Sequence, residues 1–228
     1  RLELEDNFEI SDTLLDKYIE EVEEELEISY DIVQIAAIKN CILNNFSILT
    51  GGPGTGKTTV SRLIAKIYKS LGLLSKGQLV ETDRGGLVGG YVGQTAIKTQ
   101  EMIDNAMGGI LFIDEAYALT HGKGENDFGQ EAVDTILKAM EDHRDDFIVI
   151  VAGYPELMKE FIASNPGLKS RFNQYINFED YTPTELKDIF LLYCKNQNLI
   201  LGESCDEYLM HHFQDLYDNR SEDYANGR

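Results

Sequence analysis

The segment that decides the fold is Gly51-Gly52-Pro53-Gly54-Thr55-Gly56-Lys57-Thr58. It has the pattern G-x-x-x-x-G-K-T, which is typical of a loop that binds nucleotide phosphates. The apolar run 46–50 before it predicts a strand, and apolar residues spaced three and four apart after it predict a helix. Glycines allow backbone N–H groups to point at phosphates, and the N-terminus of the helix adds a positive dipole end. The strand–loop–helix context therefore supports a phosphate-binding loop.

Two side chains of this loop carry specific chemistry. Lys57 is predicted to reach the β- and γ-phosphates of ATP, and the hydroxyl of Thr58 is predicted to hold Mg²⁺. The alternative is a glycine-rich turn in which Lys-Thr occurs by chance. The residues expected to bind the nucleotide are Gly52, Pro53, Gly54, Thr55, Gly56, Lys57, Thr58 and Thr59.

A second segment supplies the carboxylates that the loop lacks. The run Gly109-Ile110-Leu111-Phe112-Ile113 predicts a buried parallel strand, and Asp114 and Glu115 follow it directly. Asp114 is expected to hold Mg²⁺, and Glu115 is expected to act as the base that orients the attacking water. The alternative is a surface Asp-Glu pair after a core strand, and the presence of the phosphate loop argues against it.

Composition limits the function further. The 228 residues include 20 Lys and Arg and 40 Asp and Glu, giving a net charge of −20. Such a surface repels phosphate backbones, so a nucleic-acid partner is not expected. No apolar run approaches the roughly 18 residues that a membrane span needs. Three widely spaced cysteines show no metal or disulfide pattern, which favours a reducing cytoplasm. Because the chain begins at Arg1 rather than Met, we expect a segment of a longer protein.

The order of predicted elements indicates an α/β fold. Strands and helices alternate over residues 46–180, which predicts a parallel sheet with helices on both faces. Residues 1–45 are predicted to be an acidic helical segment with Leu15 and Ile19 on its apolar stripe. Only helices are predicted over 181–228, where Tyr193 and Tyr208 are expected on core faces. We therefore expect three parts, 1–45, 46–180 and 181–228.

One resemblance covers residues 12–59. The segments Gln34-Ile35-Ala36-Ala37-Ile38 and Phe46–Thr58 resemble the opening of RecD-type superfamily 1 helicases. In that family a Gln at this distance before the phosphate loop contacts adenine. The resemblance implies that Gln34 lines the adenine pocket, and the alternative is a polar residue on the outer face of a helix.

A second resemblance covers residues 61–180 almost continuously. The chain resembles the AAA+ family that includes red-type Rubisco activase, stage V sporulation protein K and the AAA+ domain of type VII secretion ATPases. It implies an AAA+ P-loop NTPase followed by a small all-α lid of which this chain contains part, in a ring, usually a hexamer, with ATP between subunits. The matching segments include Leu87–Thr95, Leu111–Tyr117, Met140–Arg144, Ala152–Pro155 and Asn165–Phe172.

The AAA+ resemblance assigns further roles by motif match. Arg171, in Ser-Arg-Phe, matches the arginine finger that acts on the neighbouring subunit's γ-phosphate, with Arg144 as the alternative. Tyr91 and Val92 match a pore loop that grips a polypeptide, and the alternative is an aromatic residue folded onto the core. Arg228 matches the second sensor arginine. The usual first-sensor Asn is absent after the fourth strand, where Gly153-Tyr154 stands, so Tyr154 or a neighbour is a candidate substitute.

These observations lead to one function and two alternatives. The expected function is a cytoplasmic AAA+ ATPase that uses Mg²⁺ and ATP to remodel or thread a protein client, as a ring with other copies of itself. One alternative is a superfamily 1-like nucleic-acid motor, which the charge of −20 opposes. The other is a nucleotide switch with low turnover, which the presence of Lys57, Asp114 and Glu115 opposes.

Overall fold

The structure of the chain, a computed structural model, describes most of the residues that carry the predictions. The described residues are 12–26, 35, 38–39, 46–91, 93–120, 128–172, 174–202, 205–220, 224 and 226.

Five parallel strands form one sheet in the order β2-β3-β4-β1-β5. The strands β1, β3 and β4 fall on apolar runs, β2 and β5 mix apolar and polar residues, and all side chains of β3 and β4 are buried. Burial on both faces is typical of a parallel sheet that is covered by helices. The strands are β1 (Phe46–Gly51), β2 (Leu79–Thr82), β3 (Ile110–Ile113), β4 (Ile148–Gly153) and β5 (Gln174–Phe178).

The helices connect the strands and cover both faces of the sheet. Along the strands, alternate residues point to opposite faces: Ile110 and Phe112 belong to one core cluster, and Leu111 and Ile113 to the other. The predicted α/β class with helices on both faces is therefore confirmed. The helices are α1 (Asp12–Leu26), α2 (Lys57–Ser70), α3 (Arg84–Leu87), α4 (Gln94–Ala106), a 3-10 helix (Ala116–Leu119), α5 (Gly129–Asp142), α6 (Pro155–Ala163), α7 (Pro166–Arg171), α8 (Pro183–Asn196) and α9 (Cys205–Asp218).

The first core cluster includes the N-terminal helix. Leu15 and Ile19 of α1 are each 2% exposed and pack in the cluster formed by α2 and one face of the sheet. The opposite cluster is formed by the other face of the sheet with α4, α5, α6 and α7. The acidic segment before the phosphate loop thus buries apolar side chains against the α/β core.

The helices after the sheet differ in part from the prediction. Thr182 caps α8 with a reciprocal capping box to Glu185. Phe190 and Phe213 join α8 to α9, with ring centroids 6.1 Å apart. The placement of Tyr193 and Tyr208 on core faces is wrong, because their side chains are 59% and 70% exposed. In a layer of two helices, each helix buries only a narrow stripe of side chains. The apolar periodicity of the sequence predicts a wider buried face than this, and the predicted face therefore includes side chains that are exposed in the structure.

Three short elements were not predicted, namely α3, the 3-10 helix and α7. All three are four to six residues long, which is too short to show a hydrophobic period. Within the described residues, no helix is both long enough and apolar enough to cross a membrane.

Truncation of Leu15 should destabilise the whole α/β core. We expect Leu15→Ala to lower the free energy of unfolding by about 2–4 kcal/mol, because it removes a buried side chain from a shared cluster. Lys17→Ala, on the same helix but 70% exposed, should change it by less than about 0.5 kcal/mol. Urea unfolding followed by circular dichroism measures both. Equal stability of the two variants would mean that α1 does not belong to the core.

Candidate nucleotide-binding site

The phosphate loop lies between β1 and α2 and depends on glycine at its turns. Gly51, Gly54 and Gly56 have φ of 146°, 73° and 88°, a region that L side chains rarely adopt. A Cβ on Gly51 would lie 2.4 Å from the carbonyl oxygen of Phe178 at the end of β5. Gly56 is the N-cap of α2, so Lys57 is the first residue of that helix. The glycine pattern therefore reflects both the tight turn and the close contact with a neighbouring strand.

The ammonium group of Lys57 lies over the loop. Its Nζ donates to the carbonyl oxygens of Gly51 at 3.0 Å and Gly52 at 2.6 Å, and to Thr55 Oγ1 at 3.4 Å. Thr55 Oγ1 in turn donates to the Gly52 carbonyl at 2.9 Å. These contacts hold the positive charge above the N-terminus of α2, where phosphate oxygens would be stabilised.

The two carboxylates follow β3 in sequence and lie beside the loop in space. The backbone N–H of Asp114 donates to the carbonyl of Thr82 at the end of β2, at 2.9 Å. Asp114 Oδ1 accepts a hydrogen bond from the backbone N–H of Glu115 at 3.1 Å. Glu115 has φ 50° and ψ 42°, a left-handed conformation that is costly for a residue with a side chain. This turn leaves Asp114 half-buried and Glu115 exposed.

A cavity of about 240 Å³ brings the two segments together. It lies where the carboxyl ends of β1, β3 and β4 meet, as expected for ligand sites in open parallel sheets. Gly52, although predicted as part of the site, instead lines a neighbouring cavity of about 350 Å³. The residues lining the 240 Å³ cavity are Gly51, Pro53, Gly54, Thr55, Gly56, Lys57, Thr58, Thr59, Asp114, Glu115, Gly153 and Tyr154.

Two tyrosines extend the site toward β4. The rings of Tyr117 and Tyr154 have centroids 6.3 Å apart and are tilted by 50°. Burial, and then the negative charge of Glu115, raise the pKa of Tyr117 to about 12, with smaller contributions from Tyr154 and Asp114. The Tyr117 hydroxyl therefore stays protonated at physiological pH.

Two contacts to the phosphate loop were not predicted from the sequence. The hydroxyl of Tyr181 donates to the Thr55 carbonyl at 3.2 Å, and Asn226 Nδ2 donates to the Pro53 carbonyl at 3.3 Å. Asn226 Nδ2 also donates to Asp180 Oδ1 at 2.9 Å. The chain after β5 thus contacts the phosphate loop. No sequence motif signals these contacts, because they join residues that are more than 120 positions apart.

The remaining predicted residues lie elsewhere or outside the described residues. Arg171 is at the end of α7, 27% exposed, where its Nη2 donates to Glu141 Oε2 at 2.9 Å. Tyr91 is 75% exposed, and this placement contradicts the alternative of an aromatic residue folded onto the core. Three predicted residues, Gln34, Val92 and Arg228, are outside the described residues.

The sheet and this site together define a phosphate-loop nucleotide-binding domain. The glycine loop, the lysine that opens α2 and the carboxylates after β3 are its defining parts.

The chain belongs to the AAA ATPase family. The model of the family described as "ATPase family associated with various cellular activities (AAA)" matches residues 47–180, more than half of the chain. This confirms the AAA+ resemblance and the enzyme class, an ATP hydrolase.

Named relatives support the narrower resemblance. Stage V sporulation protein K of Bacillus subtilis (strain 168) is 55% identical over 139 residues, which cover 61% of this chain and 43% of that protein. The chloroplastic ribulose bisphosphate carboxylase/oxygenase activase of Cyanidioschyzon merolae is 46% identical over 165 residues, covering 72% and 56%. Protein CbbX of Cereibacter sphaeroides is 51% identical over 140 residues, covering 61% and 45%. The chain thus spans about half the length of these relatives.

Solved structures support the fold. The AAA domain of FIGL-1 in complex with ADP superposes with a TM-score of 0.55 at 15% identity, covering 95% of this chain and 77% of that one.

Replacement of Lys57 tests the binding site directly. We expect Lys57→Ala to abolish ATP binding in isothermal titration calorimetry, because the lysine is the cation of the cavity that offsets phosphate charge. Lys138→Ala, an exposed lysine on α5, is the matched control and should bind as the unmodified chain does. Unchanged ATP affinity in Lys57→Ala would remove this residue from the site.

Proposed function

We propose that this chain hydrolyses ATP with Mg²⁺ in a ring of identical subunits and uses the energy to remodel or thread a protein client. The observation that carries the proposal is the single cavity that holds Lys57, Thr58, Asp114 and Glu115. Their side chains supply a cation for the phosphates, a hydroxyl and a carboxylate for a metal ion, and a second carboxylate for water. That set matches the needs of phosphoryl transfer to water.

The donor set of the cavity suits Mg²⁺. Thr58 offers a hydroxyl oxygen and Asp114 a carboxylate oxygen, both hard ligands of the kind that Mg²⁺ prefers. Among the described residues, no group of three or more His, Cys, Asp or Glu side chains could hold a metal by itself. Mg²⁺ would therefore share its ligands with phosphate oxygens and water, as it usually does beside nucleotides. The bound ion would offset the charge that develops on the phosphates.

Glu115 is the residue that we assign to the attacking water. Its left-handed backbone makes a turn directly after Asp114, and both residues line the cavity. Backbone strain of this kind is concentrated at functional positions. With Asp114 engaged by the metal ion, Glu115 is the carboxylate of the cavity that can accept a proton from water.

We assign Arg171 to the active site of a neighbouring subunit. Arg171 does not line the phosphate cavity of its own chain, and its position at the end of α7 leaves it partly exposed. Glu141 of α5 pairs with it and fixes its direction. Arg144, the alternative finger, is 70% exposed and lies 4.0 Å from the same carboxylate, so it is held less closely.

Subunit mixing tests whether Arg171 acts in trans. Arg171→Ala subunits carry an intact phosphate loop, and Lys57→Ala subunits carry an intact Arg171. We expect neither variant to hydrolyse ATP alone and a mixture of the two to recover activity, because one subunit supplies the loop and the next supplies the arginine. ATP turnover is measured as a function of mixing ratio. Absence of any recovery, with co-assembly shown by cross-linking, would contradict the assignment.

The loop that carries Tyr91 is suited to grip an extended polypeptide. Tyr91 is exposed, and a Cβ on either Gly90 or Gly93 would meet no atom within 4 Å, so the tip of the loop stands clear of the core. The base of the loop is fixed, because Gly89 donates its N–H to Thr95 Oγ1 at 3.0 Å. An aromatic side chain on such a tip can contact many sequences through its ring.

Contacts at the base of this loop lead to the nucleotide site. Arg84, in the short helix α3 just before the loop, donates from Nη1 to the carbonyl of Ala118 at 2.7 Å. Ala118 is in the 3-10 helix that begins directly after Glu115. The N–H of Asp114 bonds to Thr82 at the end of β2, two residues before Arg84. These hydrogen bonds connect the segment that carries the carboxylates to the base of the loop.

The division of the chain and its partners are part of this proposal. We assign residues 1–45 to an N-terminal helical segment, 46–180 to the nucleotide-binding core and 181–228 to part of a lid. The relative named as an activase of ribulose bisphosphate carboxylase/oxygenase suggests a protein client rather than a nucleic acid. The charge of −20 agrees with that choice.

Removal of the Tyr91 ring tests whether the chain acts on a protein client or is a nucleic-acid motor. We expect Tyr91→Ala to keep its fold, its ATP affinity and a basal ATPase rate within a few-fold. Stimulation of the ATPase rate by unfolded casein should fall about 10-fold or more, which corresponds to a loss of ~1.4 kcal/mol in the free energy of client binding.

Two control variants sharpen this test. Tyr91→Phe keeps the ring and should retain stimulation, and Tyr193→Ala removes an exposed aromatic residue from α8 and should leave it unchanged. Stimulation of the unmodified chain by single-stranded DNA and not by casein would favour the nucleic-acid motor. Unfolding of Tyr91→Ala would contradict the assignment of Tyr91 to a pore loop.

A further inference from the structure

A glycine-rich segment precedes α4 and carries Tyr91. Five of the nine residues 85–93 are glycine, the residue that loses most backbone entropy when it is ordered. Such a segment keeps one conformation only where other groups hold it. A Cβ on Gly89 would lie 2.6 Å from Cβ of Gln94 and 3.1 Å from the backbone nitrogen of Thr95. The segment before Tyr91 therefore lies directly against the first turn of α4.

Two buried threonines of α4 hold the backbone of this segment. Thr95 and Thr99 are about one helical turn apart, and both are 0% exposed. Thr99 Oγ1 donates to the carbonyl of Leu87 at 3.0 Å. Thr95 Oγ1 accepts from the N–H of Gly89, also at 3.0 Å. Because both side chains are fully buried, their replacement would disturb core packing as well as the loop.

Lys98 makes a further contact from the same helix, and its side chain is only half-buried. Its ammonium group donates to the carbonyl of Gly85 and, at 3.3 Å, to the carbonyl of Val88. Gly85 is in α3, and Val88 is the C-cap of that helix. Carbonyls at the C-terminal end of a helix lack intrahelical partners and are often bound by lysine. One side chain thus joins two points of the segment that leads to Tyr91.

On the other side of Tyr91 the chain returns to the same helix. The Tyr91 carbonyl accepts from the N–H of Gln94, the first residue of α4, at 3.2 Å. Gly93, with φ of 79°, is the N-cap of this helix. Ile103 and Ala106 of α4 are 0% exposed and belong to one of the two core clusters. Both ends of the loop around Tyr91 are therefore attached to a helix that the core holds in place.

We propose that Lys98 is a positioning residue that orders the Tyr91 loop for an extended polypeptide client. The proposal rests on the proposed function, because it takes Tyr91 as the residue that contacts the client. A loop that is ordered before binding loses less entropy when the client binds, so the affinity for the client is higher. Lys98 does not line the phosphate cavity, so its role is separate from nucleotide binding.

A single fluorophore measures the order of the loop without any client. The chain contains no tryptophan, so Tyr91→Trp places one indole at the tip of the loop. In that background, time-resolved fluorescence anisotropy compares Lys98→Met and Lys98→Arg with the unmodified lysine. We expect a larger amplitude of nanosecond indole motion in Lys98→Met. Lys98→Arg keeps a cation that can donate to two carbonyls, and it should match the lysine. Equal anisotropy decays of all three chains would overturn the inference.

Unfolded casein tests the effect on client binding in chains that keep Tyr91. The ATPase rate is measured as a function of casein concentration. We expect Lys98→Met to raise the concentration for half-maximal stimulation about 5-fold or more and to keep the maximal rate within about 2-fold, because loop order acts on binding. Lys98→Arg should restore the unmodified value. Lys138→Met, which replaces an exposed lysine of α5, is the matched control and should not change it. Melting temperatures show that the variants are folded.

Three results of the casein titration would overturn the inference. They are an unchanged half-maximal concentration in Lys98→Met, a lower maximal rate without a change in that concentration, and an equal loss in Lys98→Met and Lys98→Arg. If casein does not stimulate the unmodified chain, the proposed function fails, and the anisotropy alone then decides whether Lys98 orders the loop. If casein stimulates the unmodified chain and Lys98→Met alike, the inference alone fails.

Discussion

The site depends on the register of the three central parallel strands, which brings their carboxyl ends to the same edge of the sheet, with β3 ending two residues before β4. Ile113 of β3 pairs with Val151 of β4, and Thr50 of β1 pairs with Gly153 of β4. The next residues along each strand therefore meet at one edge: the phosphate loop, the two carboxylates and Tyr154. A shift of one residue in any pair would turn buried side chains to the opposite face, so the two hydrophobic clusters hold the register. Core packing thus determines the geometry of the candidate nucleotide-binding site.

The charges that line the cavity favour a cation in addition to Lys57 under the proposed function. One ammonium group, Lys57, faces two carboxylates, Asp114 and Glu115. ATP would add several negative charges beside those carboxylates, in a chain whose net charge is already −20. Mg²⁺ held by Asp114 would reduce that repulsion, and Glu115 would then remain for the attacking water. Lys57 would exchange the carbonyls of Gly51 and Gly52 for phosphate oxygens when nucleotide binds.

The sequence predicted the parts of the fold whose signal is local. Continuous apolar runs located β1, β3 and β4, and the glycine–lysine pattern located the phosphate loop, because both signals depend on neighbouring residues. The pairing of Arg171 with Glu141 and the contacts of Tyr181 and Asn226 to the loop could not be predicted, because they depend on tertiary packing. Tyr154 had a partial signal, since a polar residue is expected after the fourth strand in the family that the chain resembles. Its packing on Tyr117 required the structure.

The most direct measurement of the central claim compares ATP turnover by the unmodified chain with that of Glu115→Gln, at a concentration where the chain assembles and with Mg²⁺ present. The account predicts that the unmodified chain hydrolyses ATP, that chelation of Mg²⁺ stops it, and that Glu115→Gln binds ATP but turns it over at least ~100-fold more slowly. Near-normal turnover in Glu115→Gln would contradict the account. So would an unmodified chain that binds ATP but does not hydrolyse it, since that result belongs to a low-turnover nucleotide switch.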